Sequence, residues 1–252
     1  MDTGWAAAVG ASALVLRDRA LGGFEPSEAD SNALVIDGAD GHHLQRVRRL
    51  AVDETIVIAD GSGDWYPSRV LEVGDGTLTV SRVGEVRTEP RPLPRISVAF
   101  APAKRDHGAE VVRHLVELGV DRLIPLTTRR GVVRWDGARG DKAWTRLSHA
   151  IREAAVQSHR ALLPVLDRPV DIGQLAQEPG LIVADRAGLA VGDLRPSSAE
   201  EWVVLIGPEG GFDRAERTAL ESAIRVRVGP HILRSVTAPV AAAAALVSLR
   251  PV

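Results

Sequence analysis

The 252-residue chain contains no cysteine. Disulfides, thiolate metal sites and a thiol nucleophile are therefore excluded, and a reducing compartment fits that lack. Lysine is almost missing as well: of 31 basic residues only Lys104 and Lys142 are lysine, a bias that reflects genomic base composition more than function. Long uncharged runs are absent. The longest, Ser235 to Leu249, is too short to span a bilayer and carries Pro239 near its start. The apolar stretch Trp5 to Leu16 has Asp2 where a signal peptide needs basic residues, and Arg17 and Asp18 follow at once, so no export signal is expected and the expected location is cytoplasmic. The chain also lacks a Gly-x-Gly-x-x-Gly motif after its first α/β strand and a Walker lysine, which disfavours a metabolic enzyme built on those phosphate cradles. No internal repeat is visible.

What is present is the balance of a globular protein, 45% apolar and 25% charged. The length suits a domain of under ~100 residues followed by a catalytic one of about 150. The net charge of −2 hides an asymmetry, since residues 1–94 hold 9 basic and 15 acidic side chains while 95–252 hold 22 and 18. Residues 129–160 concentrate Arg129, Arg130, Arg134, Arg139, Lys142, Arg146, Arg152 and Arg160 against Asp136, Asp141 and Glu153. Such a stripe either neutralises phosphates or solvates a helix face.

Short β-type segments, Ala33–Ile36, Glu54–Ala59, Trp65–Glu72 and Thr77–Arg82, alternate with turn signals such as Asp60-Gly61 and Gly74-Asp75-Gly76, the pattern of a small barrel. One helix, His42–Leu50, interrupts them with Leu44, Val47 and Leu50 on its inner face. Prolines 90, 92 and 94 stiffen Thr88–Pro94 into a linker, giving domains 1–88 and 95–252. Beyond it strands and helices alternate as in a parallel sheet covered on both faces: strands at Ile96–Ala101, Val120–Leu126, Leu181–Ala184, Trp202–Ile206 and Val226–Val228, helices at Asp106–Leu118 and Trp144–Ser158. Asp213 with Glu216 marks a capped helix start, and a last helix begins near Thr237 with Pro239 in its first turn.

Three loops follow the last three apolar strands, where open α/β sheets bind ligands. Gly207-Pro208-Glu209-Gly210-Gly211-Phe212 joins a strand to the capped helix and lets backbone approach a ligand closely. Gly229-Pro230-His231-Ile232-Leu233-Arg234-Ser235-Val236-Thr237 leads into an alanine-rich helix. Two glycine-proline loops about 20 residues apart, the second ending in Leu-Arg, resemble the SPOUT methyltransferases, specifically the family that methylates N3 of a uracil in 16S ribosomal RNA. The likeness continues upstream in order through Lys104, Glu117-Leu118-Gly119-Val120, Pro125-Leu126, Arg130, Glu153-Ala154-Ala155, Gln157-Ser158 and Arg160. It spans about residues 40–250, and residues 1–30 match poorly.

The resemblance implies an α/β catalytic domain with a deep trefoil knot, behind a PUA-like β-barrel domain that recognises RNA. It implies S-adenosyl-L-methionine as cofactor, no metal, 16S rRNA of the small ribosomal subunit as partner, and a homodimer in which the last helix, with Ala241–Ala245, packs against its copy. The cofactor residues it implies are Ala184, Leu205, Gly207, Pro208, Glu209, Gly210, Gly229, Ile232, Leu233 and Arg234. The RNA-binding residues are His43, Arg46, Arg48, Arg49, Lys104, Arg130 and Arg160, of which His43 to Arg49 resemble a family His-then-Val-Leu-Arg signature. Arg234 and Glu209 are the catalytic candidates. Arg234 either offsets charge developing on the uracil oxygens or anchors a phosphate or the knot, and Glu209 either acts in chemistry or complements a helix N-terminus.

Some family features are replaced. Val236 and Val156 stand where many relatives carry glutamate, so neither position supplies a base, while His231 and Leu162 stand where arginine is common. Methylation at uracil C5 normally needs a cysteine adduct and is excluded. Ribose 2′-O-methylation is disfavoured by Leu233-Arg234-Ser235-Val236-Thr237 in place of a Ser-Leu-Asn-Val-Ser type segment. The missing carboxylates favour an assembly factor without turnover; the intact glycines at 207, 210 and 229 favour an enzyme.

Overall fold

The computed structural model describes residues 10–17, 33–102, 107–131, 135, 137–194 and 200–250. Lys104, Arg134, Asp136, the helix start at Asp106 and the first part of the opening apolar stretch, Trp5 to Val9, lie outside them. The chain forms two compact units, one of residues up to Pro90 together with Ala155–Leu163, the other of Arg91–Ala154 and Pro164–Val252.

In the first unit a six-stranded sheet is built from β1 (Ala13–Leu16), β2 (Ala33–Ile36), β3 (Thr55–Ala59), β4 (Asp64–Val73), β5 (Leu78–Arg82) and β6 (Arg87–Thr88). The order is β1-β3-β4-β5-β2 with β6 on β4, and every pairing is antiparallel except β1 with β3. The alternation in Leu78-Thr79-Val80 turns the aliphatic residues inward, where they meet Ile36, Ile56, Ile58 and Tyr66 in one cluster. Burying one such side chain stabilises the fold by about 1.5–3 kcal/mol.

The expected helix at His42–Leu50 is shifted and deformed. A short helix α1 (Gly38–His42) runs into a π-type turn, His43–Val47, in which the Arg48 N–H donates to the His43 carbonyl. Leu44 and Leu50 are buried as expected, but Val47 is 66% exposed. The wider i→i+5 turn rotates Val47 off the inner face that an α-helical period gives it. Ala155–Leu163, which the sequence pattern groups with the later domain, packs here: the Glu89 carboxylate accepts from the N–H groups of Ala161 and Leu162 at 2.7 and 2.8 Å, and Leu163 donates to Gly61.

The second unit holds a seven-stranded sheet, all of whose pairings are parallel: β7 (Arg95–Phe100), β8 (Arg122–Thr127), β9 (Val165–Leu166), β10 (Val170–Asp171), β11 (Leu181–Ala190), β12 (Glu201–Ile206) and β13 (Ile224–Arg227). Their order is β10-β8-β7-β12-β11-β13, with β9 on β8. The helices are α2 (His107–Glu117), α3 (Gly137–Gln157), α4 (Ile172–Leu175), α5 (Arg214–Ala219) and α6 (Thr237–Ser248). Apolar runs such as Trp202–Ile206 are buried on both faces, as central parallel strands require.

The Asp213 and Glu216 spacing forms the reciprocal cap it predicts: Glu216 N–H donates to Asp213 Oδ1 and Asp213 N–H to Glu216 Oε2, both at 2.8 Å. α3 starts seven residues before Trp144, because Gly137–Ala143 has no apolar stripe to announce it. Among the described residues no helix is long and apolar enough to cross a membrane.

Candidate functional site

β11, β12 and β13 lie side by side at one flank of the sheet, so the loops at their carboxyl ends converge. They enclose a cavity of about 500 Å³. Val183 to Arg186 line it from β11, Gly207, Pro208, Gly211 and Phe212 from the second loop, and Gly229, His231, Ile232 and Leu233 from the third.

The first loop is part of a strand that bulges. β11 pairs with β13 up to Ala184, slips register, and pairs again from Leu189. At Gly188 a side-chain carbon would lie 2.4 Å from the Arg225 carbonyl carbon, so only glycine lets the two backbones touch. The bulge is pinned by Asp185: Oδ1 accepts from the Ala187 N–H at 2.9 Å and Oδ2 from the Arg225 guanidinium at 2.6 Å. The Ala187 N–H foremost, then Arg225 and Arg186, hold the Asp185 carboxyl below the ordinary carboxylate range, against the opposing effect of burial.

A depressed carboxyl stabilises the fold above its unfolded pKa, and that contribution is lost as pH falls through the folded value. Asp185→Asn is therefore expected to be less stable than the parent at neutral pH, with the gap closing below about pH 4. Urea unfolding of both proteins from pH 7 downward checks this; a gap constant with pH would assign the effect to neutral hydrogen bonding.

The second loop turns tightly, Gly211 donating to the Pro208 carbonyl with its own φ at +65°. Two side chains tie it to neighbours. Arg130 donates to the Gly210 carbonyl at 3.1 Å, and Ser235 Oγ donates to Glu209 Oε1 at 3.2 Å, which joins the second loop to the third. The Arg234 carbonyl accepts from the N–H groups of Thr237 and Ala238 and so starts α6. Its guanidinium is exposed and makes no hydrogen bond or ion pair among the described residues.

Of the residues expected to hold a cofactor, Ala184, Gly207, Pro208, Gly229, Ile232 and Leu233 thus line one cavity. Leu205 is fully buried in the sheet core below it, and Glu209, Gly210 and Arg234 sit on the loops outside the lining. Ile232 is 76% exposed. Residues the sequence reading missed are Phe212, Arg217, Arg225 and Arg227, which also line the cavity. The alternation Ile224-Arg225-Val226-Arg227 carried a usable signal, since a strand places both arginines on one face.

In the first unit His43, Arg46, Arg48 and Arg49 are all exposed. Arg46 pairs loosely with Asp75 at 3.4 Å, and Arg48 donates to the Ser12 carbonyl at 2.9 Å. Burial first, then the charge of Arg48, holds His159 below the ordinary histidine pKa. Arg160 is only 8% exposed and has partners within the protein, so it offers little surface to a ligand. Arg130 is exposed, and Lys104 lies outside the described residues.

Known proteins resemble the chain over both units. The family model of an RNA methyltransferase domain matches residues 89–247, and that of an RNA methyltransferase PUA domain matches residues 36–81. The ribosomal RNA small subunit methyltransferase E of Mycobacterium bovis is 32% identical over 84% of this chain and 85% of its own length. That of Synechocystis is 30% identical over 89% and 76%. Among solved structures, ribosomal RNA small subunit methyltransferase E from Neisseria gonorrhoeae bound to S-adenosyl methionine superposes with a TM-score of 0.75 at 25% identity, covering 86% of this chain and 92% of that one. A Legionella pneumophila protein in complex with the same cofactor gives 0.74 at 26%, covering 89% and 95%.

Proposed function

The chain belongs to the RNA methyltransferase family, alongside the ribosomal RNA small subunit methyltransferase E enzymes, and we propose that it methylates N3 of one uracil of 16S rRNA. It is an α/β methyltransferase with a PUA-like domain, and S-adenosylmethionine-dependent methylation of small-subunit rRNA is its activity. The observation that carries the assignment of the site is the meeting of three carboxyl-end loops around one cavity of about 500 Å³, a size that suits a cofactor.

The residues present fit S-adenosylmethionine. Glycine at 207 lets the Phe212 ring close on the second loop, since an added side-chain carbon would fall 2.7 Å from that ring. The lining joins apolar Ile232 and Leu233 to the polar residues Asp185, Arg217, Arg225 and His231, a mix that suits a ligand with a planar ring and a charged end. The bound cofactor supplies a methyl already activated on a sulfonium, so no metal is required. The protein's tasks are to hold the cavity rigid, exclude water and align an unpaired base. The Asp185–Arg225 pair and the Ser235–Glu209 hydrogen bond do the first. Arg234, exposed and unpaired beside the cavity, is placed to offset charge on the uracil oxygens as the N3 proton leaves, and Glu209 orders the loops through Ser235.

The finer architecture belongs to this reading. α6 returns from beyond edge strand β13 to pack on β7 and β12 in the middle of the sheet, as a threaded, knotted C-terminus would. The helix is apolar all round: Ala242 and Ala243 are buried, whereas Ala241, Ala244 and Ala245 leave a small-residue face for a second copy. The first unit, read as a small barrel, presents Arg46, Arg48 and Arg49 to RNA phosphates, with the boundary between domains at residues 88–95. The reading takes 16S rRNA as the substrate, with the 30S subunit and the cytoplasm as its setting.

The test is incubation with labelled S-adenosylmethionine and 30S subunits lacking the modification, followed by nucleoside mass spectrometry. 3-Methyluridine is the expected product. A 2′-O-methylated nucleoside, or cofactor binding with no methylated product, would overturn the N3 assignment.

A further inference from the structure

A second cavity of about 580 Å³ opens in the C-terminal unit beyond α5, and it shares no lining residue with the first. It sits at the carboxyl ends of β8 and β10, lined by Thr127, Thr128, Arg129, Trp135, Asp171 and Asp213 among others. Its frame is fixed. Buried Glu216 spends both carboxylate oxygens on backbone, one on the Arg129 N–H at 2.7 Å and one on the Asp213 N–H, which locks the segment after β8 to α5.

Three features define what such a cavity accepts. Trp135 is half-buried and presents an aromatic surface, which suits stacking of a planar ring. Thr128 is only 6% exposed, lines the cavity, and its Oγ1 has no hydrogen-bond partner among the described residues. A buried hydroxyl left unsatisfied in a folded protein calls for a ligand or water partner. Asp171 and Asp213 each use Oδ1 to cap a helix, at 2.9 and 2.8 Å, and keep Oδ2 as an acceptor. The lining thus carries three carboxylates with Glu216 against the single cation of Arg129, so a phosphate is repelled from the interior while ring amino groups are drawn in.

We propose that this cavity seats an unpaired, amino-bearing nucleobase flanking the methylated nucleotide, with the ring on Trp135 and its amino edge on Asp171, Asp213 and Thr128. The proposal rests on the RNA methyltransferase reading and adds a second point of sequence recognition to it. The target base itself goes to the first cavity, where the methyl is delivered. Exposed Arg129 at the rim then meets the backbone phosphate of the flanking nucleotide.

The test uses the full chain and unpaired seven-nucleotide RNAs that share a central uridine and differ only in whether its flanks are adenosine, cytidine, guanosine or uridine. Fluorescence anisotropy is expected to show the amino-bearing flanks binding roughly tenfold more tightly than uridine, with Trp135→Ala removing about that factor and Trp135→Phe keeping most of it. Thr128→Val narrows the preference. The Kd for S-adenosylmethionine stays unchanged in all three variants, which shows that each is folded. Equal binding of the four RNAs, or a preference that survives Trp135→Ala, overturns the proposal. If the wild type methylates 30S subunits yet shows no flank preference, only this inference fails; if it neither binds RNA nor methylates subunits, the reading beneath it fails too.

Discussion

Replacing Arg234 with alanine lowers kcat for rRNA methylation by about 10²–10³-fold and leaves the Kd for S-adenosylmethionine nearly unchanged, as expected for loss of one preorganised donor at developing charge. Three facts support this. Arg234 sits on the third loop immediately after Leu233, which lines the first cavity. Only its backbone carbonyl is engaged, in starting α6, so the side chain is not tied up in holding the fold. Its guanidinium is exposed. Single-turnover kinetics with 30S subunits separates the readings left open by the sequence. A phosphate anchor raises KM with kcat intact, whereas a group acting on the transition state lowers kcat and kcat/KM together. A knot-holding role would instead lower the thermal midpoint. Arg234→Lys should recover only part of the rate, because an ammonium keeps the charge but not the planar fork that reaches two oxygens.

The sheet was legible because its central strands are buried on both faces and read as continuous apolar runs. Trp202–Ile206 and Ile96–Ala101 match β12 and β7 within a residue at either end. The loops were legible for a different reason: Gly207 and Gly229 each open a glycine-proline loop directly after an apolar strand, and the resemblance gave those places meaning. Elements that depend on partners far along the chain were not. β9 and β10 are two residues each and exist only as ladders on β8. The extension of β11 from Ala184 to Ala190 has no apolar run, because after the bulge it is held by Gly188 against β13 and by Asp185 to Arg225. The π-type turn at His43–Val47 breaks the period by which Val47 was assigned inward. The second cavity was equally invisible, since Thr128, Trp135, Asp171 and Asp213 come from separate stretches and form no motif.

One interaction with a large expected effect lies where sequence motifs say nothing, near the C-terminus. The Arg250 guanidinium pairs with Asp121 and also donates to the carbonyls of Pro94 at 3.0 Å and Gly119 at 3.4 Å. Asp121 in turn accepts from the Ile96 N–H at 2.8 Å at the start of β7. The two side chains are only 10% and 12% exposed, so this is no surface pair. Removing one partner from a buried pair leaves a charge without its counter-charge and costs about 3–5 kcal/mol. Arg250→Ala is therefore expected to lower the urea midpoint of the C-terminal unit by roughly 1–2 M, given a slope near 2–3 kcal/mol/M. The double replacement Arg250→Met with Asp121→Leu should recover much of that loss, because apolar groups of similar volume carry no desolvation cost. A single-variant loss below about 1 kcal/mol would place the pair with solvent-screened surface contacts instead. Arg250 joins the end of α6 to the entrance of the central strand, so its loss should also speed unfolding of that helix relative to the sheet. Hydrogen exchange on α6 against β7 reads that difference directly.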